Sequence, residues 1–129
     1  MAATQYSGKY KKLFPGVLTS NSLLSVYVLN MLSKGTKMYG KEIADKIEEQ
    51  LEGTWAPSHG LLYPMLRTME DEGLVEGHWQ DGGTRKTIRY YSITEKGMEA
   101  LQVEKEKIQP LFRESQKMLD IITVDLAMD

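Results

Sequence analysis

The chain predicts a mainly α protein with a small β-hairpin, arranged as a winged helix-turn-helix domain plus a long C-terminal dimerisation helix. Three observations carry this. Three segments of helical apolar spacing follow one another between residues 20 and 73. The period then changes to the alternation of strands in two runs that flank Asp81-Gly82-Gly83. After Thr94, apolar residues return to helical spacing and continue almost to the end. The expected division is an N-terminal arm or short helix over 1–18, a winged-helix domain over 19–93 and a helical dimerisation region over 94–129.

A chain of 129 residues suits one domain with a helical appendage, and a 41% hydrophobic fraction is enough to fill its core. Cysteine is absent, which excludes disulfides and thiolate metal sites. The N-terminus has no apolar signal-peptide run, and no later run is long enough to span a bilayer. A soluble cytoplasmic protein is the expectation. A net charge of −2 argues against a uniformly basic surface, but charge sign varies along the chain. The first twenty residues hold Lys9, Lys11 and Lys12 with no acid. Gly83 to Tyr91 holds Arg85, Lys86 and Arg89 with no acid, and acids dominate after Thr94. A chain polarised in this way can grip a polyanion locally while remaining acidic overall.

Residues 1–18 mix Tyr6, Tyr10 and Phe14 with lysines and close at Pro15-Gly16, as a short amphipathic helix or a loosely docked arm would. From Ser20 to Lys34, Leu24, Tyr27, Val28, Met31 and Leu32 keep helical spacing, Ser20 or Asn21 can cap, and Gly35 ends the element. A second helix is expected over Met38–Gly53, with Ile43, Ile47 and Leu51 inside, charged residues outside and Gly53 as its C′ residue. Thr54-Trp55-Ala56-Pro57 then makes a short connection to a third helix, consistent with a helix-turn-helix pair.

That third helix, Ser58 to Gly73, has two chemically different faces. Ser58 is a natural N-cap, and Gly73 supplies the C′ position. Leu62, Met65, Leu66 and Met69 form the buried stripe. His59, Gly60, Tyr63 and Arg67 lie opposite, with His59, Tyr63 and Arg67 four residues apart on one ridge. Small, aromatic and cationic groups at the front of a helix suit a DNA groove. Pro64 is expected to bend the first turn without breaking the element. Arg67 and His59 are candidates to read base edges; for Arg67 the alternative is an ion pair with Asp71 one turn on. Tyr63 either contacts phosphate through its hydroxyl or packs on Pro64. Gly60 favours close approach of backbone to a duplex.

Leu74–Trp79 and Thr87–Ile93 read as the two strands of a wing. Tyr90 and Tyr91 point to opposite faces, so one belongs to the core. Arg85, Lys86 and Arg89 are the candidate phosphate clamps. Thr94 can cap the last helix, in which Leu101, Ile108 and Ile122 fall on a seven-residue spacing beside a seam of Phe112, Leu119 and Leu126. That much apolar surface on a terminal helix exceeds what its own domain can cover, and a homodimer is the economical solution. Pro110 must kink this element or begin a separate helix.

Catalysis and metal binding find little support. His59 and His78 are the only histidines, and neither shares a ligand spacing with an acidic pair. Gly82-Gly83 is a turn, since no Lys-Ser or Lys-Thr follows at a phosphate-loop offset. No nucleophile–base pair can be assembled, and no cofactor is implied. Trp55, Trp79 and the eight methionines either line an effector cavity or fill the core.

Tyr39-Gly40-Lys41-Glu42-Ile43, Ser58-His59-Gly60-Leu61-Leu62-Tyr63-Pro64-Met65-Leu66, Glu72-Gly73-Leu74-Val75 and Arg89-Tyr90-Tyr91-Ser92-Ile93-Thr94-Glu95-Lys96-Gly97 resemble, in this order, the PadR-like family of transcriptional regulators. The resemblance covers roughly Leu23 to Leu101. It implies a winged helix whose third helix enters the major groove, a wing on the flanking backbone, and a homodimer joined through C-terminal helices. It also implies that Tyr39, Ser58, Gly60, Tyr63 and Pro64 face DNA and that Arg85, Lys86 and Arg89 form the basic wing. The expected partner is a pseudo-palindromic double-stranded operator and the expected role that of a dimeric repressor; release by a small-molecule effector of unknown identity is a further expectation, resting on the dimer seam adjoining the wing through Thr94. Two departures stand out. Thr87-Ile88 separates Arg85-Lys86 from Arg89, so the wing is longer or bulged. No tryptophan follows Thr94, so the drug-binding tryptophans of some members are missing. The competing reading is a winged-helix protein-interaction or small-molecule sensor module that does not bind DNA.

Overall fold

A computed structural model describes residues 20–81 and 87–126. The elements in chain order are α1 (Ser20–Leu32), β1 (Met38–Tyr39), α2 (Gly40–Gln50), α3 (His59–Asp71), β2 (Val75–Asp81), β3 (Thr87–Ile93) and α4 (Glu95–Asp125). The strands form one antiparallel sheet in the order β1-β3-β2. The expected arm over residues 1–18, the Gly82-Gly83 turn and the Arg85-Lys86 tip lie outside the described residues.

Each helix carries the apolar face its spacing predicts, and these faces meet in one core. Leu24, Val28 and Leu32 of α1, Ile43 and Ile47 of α2, and Leu62 and Leu66 of α3 are almost fully buried. Val75, Tyr91 and Leu101 close the cluster from the sheet and from the first turns of α4. Met31, Met38 and Met69 are core residues, so these methionines fill the interior as the plainer reading had it.

The residues Met38–Tyr39 correct the expected second helix. They form a short strand on β3, with Met38 opposite Tyr91 and Tyr39 opposite Tyr90, and the sheet therefore has three strands rather than two. Tyr39 is extended (φ −100°, ψ 166°), and Glu42 accepts from its N–H at 3.3 Å, so the helix begins only at Gly40. Its C′ residue is Glu52 (φ 55°) rather than Gly53, which follows with φ 76° and donates back to the Glu48 carbonyl at 2.9 Å. Gly73 is the C′ residue of α3 as expected (φ 79°), and Leu74 N–H closes the turn on the Met69 carbonyl at 2.9 Å.

The β2–β3 ladder is regular from Val75↔Ile93 to Asp81↔Thr87. Thr87 and Ile88 are ordinary ladder residues, so the wing carries no bulge in its described part. Helix α4 runs through Pro110 without a break, and α3 likewise through Pro64. Both prolines sit on exposed sides of their helices, where loss of one backbone hydrogen bond is tolerated.

Residues Asn21–Glu104 form one compact unit. The first turns of α4 belong to this unit. Leu101 leaves the expected dimer seam for the same reason: it is 3% exposed within the core of its own chain. Ile108 is also buried within the single chain. Phe112, Leu119, Ile122 and Leu126 are exposed.

Candidate nucleic-acid interface

The front of α3 is built from its cap outward. Ser58 is extended, and its hydroxyl accepts from Leu61 N–H at 3.2 Å, which fixes the first turn. His59 and Gly60 follow, both exposed. A Cβ placed on Gly60 would meet nothing nearer than the Ser58 hydroxyl at 4.0 Å, so nothing within this chain requires glycine there. The space in front of it is open to a partner. Arg67, one ridge further along, is exposed, and it forms no ion pair with Asp71 among the described residues.

Tyr63 does something neither expectation named. Its ring lies over the backbone of Gly40, where a Cβ would collide with the ring carbons. Gly40 thus permits the close crossing of α2 and α3, and the His59 ring packs edge-on against Tyr63 at 5.1 Å. Tyr39 meets Tyr90 edge-on at 5.3 Å on the far side of the sheet from Tyr91. Tyr91 is the core tyrosine (8% exposed). On Tyr90's side, Lys37 Nζ lies 5.4 Å from the Tyr90 ring and donates to Gln80 Oε1 at 3.0 Å.

The wing face that looks toward α3 carries Gly77, Trp79, Arg89 and Tyr91, as the register and alternation require. Arg89 does not stand free. Its guanidinium donates to both carboxylate oxygens of Glu70 on α3, through Nη2 to one and Nε to the other at 3.4 Å. The two side chains are 25% and 28% exposed. The guanidinium also lies 5.0 Å from the Trp79 ring and 6.0 Å from the Tyr91 ring. A Cβ on Gly77 would sit 2.6 Å from Arg89 Nε, so the interior glycine of β2 provides the passage by which Arg89 reaches Glu70. The hydrogen bond it donates to Glu70 holds Arg89 more firmly protonated than an ordinary arginine. Burial raises Tyr91 above the ordinary tyrosine value.

Between α3 and this wing face lies a cleft of about 380 Å³, lined by Tyr39, Tyr63, Arg67, Glu70, Trp79 and Arg89 among others. Trp79 is 66% exposed. The cleft therefore joins four of the expected DNA-facing residues, Tyr39, Tyr63, Arg67 and Arg89. Ser58, His59, Gly60 and Pro64 lie along α3 itself, and Arg85 and Lys86 are beyond the described residues. Sequence reasoning missed Glu70, Gly77, Gly40 and Lys37. Gly77 carried the one readable signal, a glycine inside a strand; an acid on a helix carries none.

The far end of α3 is tied to α4. Thr94 Oγ1 donates to the Gly73 carbonyl at 2.6 Å, with the Leu74 carbonyl at 3.1 Å, and accepts from Gly97 N–H at 3.0 Å. Lys96 Nζ donates to the Glu72 carbonyl at 2.8 Å. Gly97 admits the close approach, since a Cβ there would strike the Leu74 carbonyl.

No group of histidines, cysteines or acids able to hold a metal occurs among the described residues, and none of their helices is long and apolar enough to cross a membrane. Three packed helices, a three-stranded antiparallel sheet with a long hairpin and an exposed helix front define a winged-helix protein. The model of the transcriptional regulator PadR-like family matches residues 28–103, and the chain belongs to that family. It is 28% identical over 89 residues to the negative transcriptional regulator PadR of Bacillus subtilis, a match covering 69% of this chain and 48% of that protein. The chain thus spans about half the length of this curated relative. Among solved structures, a PadR-like transcriptional regulator from Bacillus cereus aligns with a TM-score of 0.60 at 28% identity, over 75% of this chain and 91% of that one. Bacillus subtilis PadR in complex with operator DNA aligns with a TM-score of 0.57 at 28% identity, over 62% of this chain and 45% of that one.

Proposed function

We propose that this chain is a sequence-specific transcriptional regulator, a cytoplasmic homodimer that represses by occupying a pseudo-palindromic double-stranded operator. In this reading α3 enters the major groove from its Ser58 end, with His59, Gly60 and Arg67 nearest the base edges. Two copies meet successive grooves about 34 Å apart. The wing follows the flanking backbone with Arg85 and Lys86 on phosphates. The single observation that carries the reading is the front of α3: an open glycine beside an exposed histidine, followed by an exposed arginine that pairs with no acid among the described residues, on a helix whose back is buried. The relative solved in complex with operator DNA supports duplex DNA as the partner.

The second copy is suggested by α4, where Phe112, Leu119, Ile122 and Leu126 form an exposed apolar stripe on one face of the helix. Release by a small-molecule effector completes the proposal, through a change in the angle between paired α4 helices. Selection of duplexes from a random pool tests the reading. An enriched sequence with two-fold symmetry and half-sites one or more helical turns apart is expected. Recovery of no enriched sequence at low salt would refute it.

A further inference from the structure

We infer that Glu70 and Arg89 act as positioning residues for duplex binding: their ion pair sets the wing against the reading helix, and Arg89 exerts its effect through Glu70 rather than on a phosphate. The inference rests on the DNA-binding reading above and reassigns one of its residues. A phosphate clamp is a long, mobile cation at the rim of a site. Arg89 instead is three-quarters covered, with both carboxylate oxygens of Glu70 as acceptors, the Trp79 ring on one side and the Gly77 backbone close beneath. The pair joins residues nineteen apart, one on α3 and one on β3. A forked guanidinium on a carboxylate fixes direction as well as distance. An Arg–carboxylate bond there acts as a strut across the cleft between the two elements that must meet the duplex together.

Glu70 makes the opposite predictions of the two roles easy to separate. It is an acid on the element that enters the groove. Were Arg89 a phosphate clamp, Glu70 would compete with the phosphate for it. Removing the Glu70 charge would then free Arg89, lessen repulsion and tighten binding. With the strut reading, removing the charge lets the wing drift, and phosphate contacts made elsewhere on the wing are lost.

The test uses the full chain and a duplex enriched from a random pool. Binding is measured by fluorescence anisotropy over a range of salt for wild type, Glu70→Gln, Arg89→Gln and the double variant, each checked for folding by circular dichroism. The expected result is a loss of about tenfold for either single variant, with the double variant no weaker than the weaker single. The decisive readout is the salt slope. Each phosphate contact contributes roughly 0.9 to it, so the slope should become shallower by about one or more in Glu70→Gln. A variant that removes a negative charge cannot lose slope unless phosphate contacts elsewhere have been lost, and a merely destabilised fold would lower the active fraction and leave the slope alone. Should Glu70→Gln not fold, Glu70→Asp keeps the charge and shortens the reach, and the same loss is expected. Equal or tighter binding by the Glu70 variants would overturn the inference and leave duplex binding intact. Failure of the wild-type chain to bind any enriched duplex would overturn both.

Discussion

The hydroxyl of Thr94 donates to the Gly73 carbonyl at 2.6 Å, across twenty-one residues, while its oxygen caps Gly97 N–H at 3.0 Å. One side chain thus satisfies the C-terminal end of α3 and the N-terminal end of α4 together. Both helix ends otherwise leave orphan backbone groups. Thr94→Val keeps the shape and removes both bonds, and should lower stability by about 1–2 kcal/mol. Urea unfolding followed by circular dichroism measures it; an unchanged midpoint would mean that water replaces the hydroxyl at no cost.

Two glycines that look alike in sequence should behave in opposite ways. Gly40→Ala drives a Cβ into the Tyr63 ring and should cost about 1–3 kcal/mol as α2 and α3 are forced apart. Gly60→Ala meets open space within a helix, and should stabilise the chain by about 0.5–1 kcal/mol through the unfolded state. Its duplex affinity should nevertheless fall. Thermal unfolding and anisotropy on the same preparations decide the matter: Gly60→Ala that binds as wild type would place the backbone of α3 farther from the duplex.

That contrast shows how much was legible beforehand. The helix caps at Ser58, Gly73 and Thr94, the buried stripes and the opposed Tyr90 and Tyr91 all followed from local spacing, because period and cap chemistry are local properties. What was missed is non-local. Gly40 and Tyr63 are twenty-three residues apart in sequence, and Glu70 and Arg89 nineteen apart, and no pattern within either segment announces the partner. Met38–Tyr39 reads as helix in the sequence because a two-residue strand has no period of its own and exists only through β3. Leu101 falls on the expected dimer seam because a seven-residue spacing does not reveal where a domain's own core ends.

Arg67 and the wing tip should separate by sequence dependence. Arg67→Ala is expected to cost about 1–3 kcal/mol on the enriched duplex and much less on random DNA, as loss of a base contact does. Arg85→Ala with Lys86→Ala should weaken all duplexes alike and make the salt slope shallower by about two. Equal losses on enriched and random DNA for Arg67→Ala would make it a phosphate contact.

Tyr91 predicts an alkaline limit. Burial raises its folded-state pKa above the unfolded value near 10. Below that value both states hold the proton and stability is unaffected. As pH rises past it the unfolded chain ionises first, so stability declines until the folded pKa is passed. Tyr91→Phe should decline less steeply above pH about 10. Parallel declines in urea unfolding from pH 9 to 11 would remove Tyr91 from the account.

The proposed dimer seam rests on exposure on α4 together with spacing. Phe112, Leu119 and Leu126 recur every seven residues, Ile122 flanks them on the same face, and all four are 44–64% exposed. Val124 and Ile121 are also exposed but lie on other faces of the helix, where the same spacing does not reach. Charges should therefore act by position. Leu119→Glu with Ile122→Glu places two carboxylates in the seam of each copy and should yield monomers in sedimentation equilibrium, with the winged helix still folded. Val124→Glu should leave the dimer intact. Since each monomer offers one reading helix, the Leu119/Ile122 variant should also lose most of its affinity for a two-fold site while keeping that for a single half-site. If Val124→Glu dissociates the pair and the Leu119/Ile122 variant does not, the seam lies on the opposite face, and the expected spacing of the two reading helices must be redrawn.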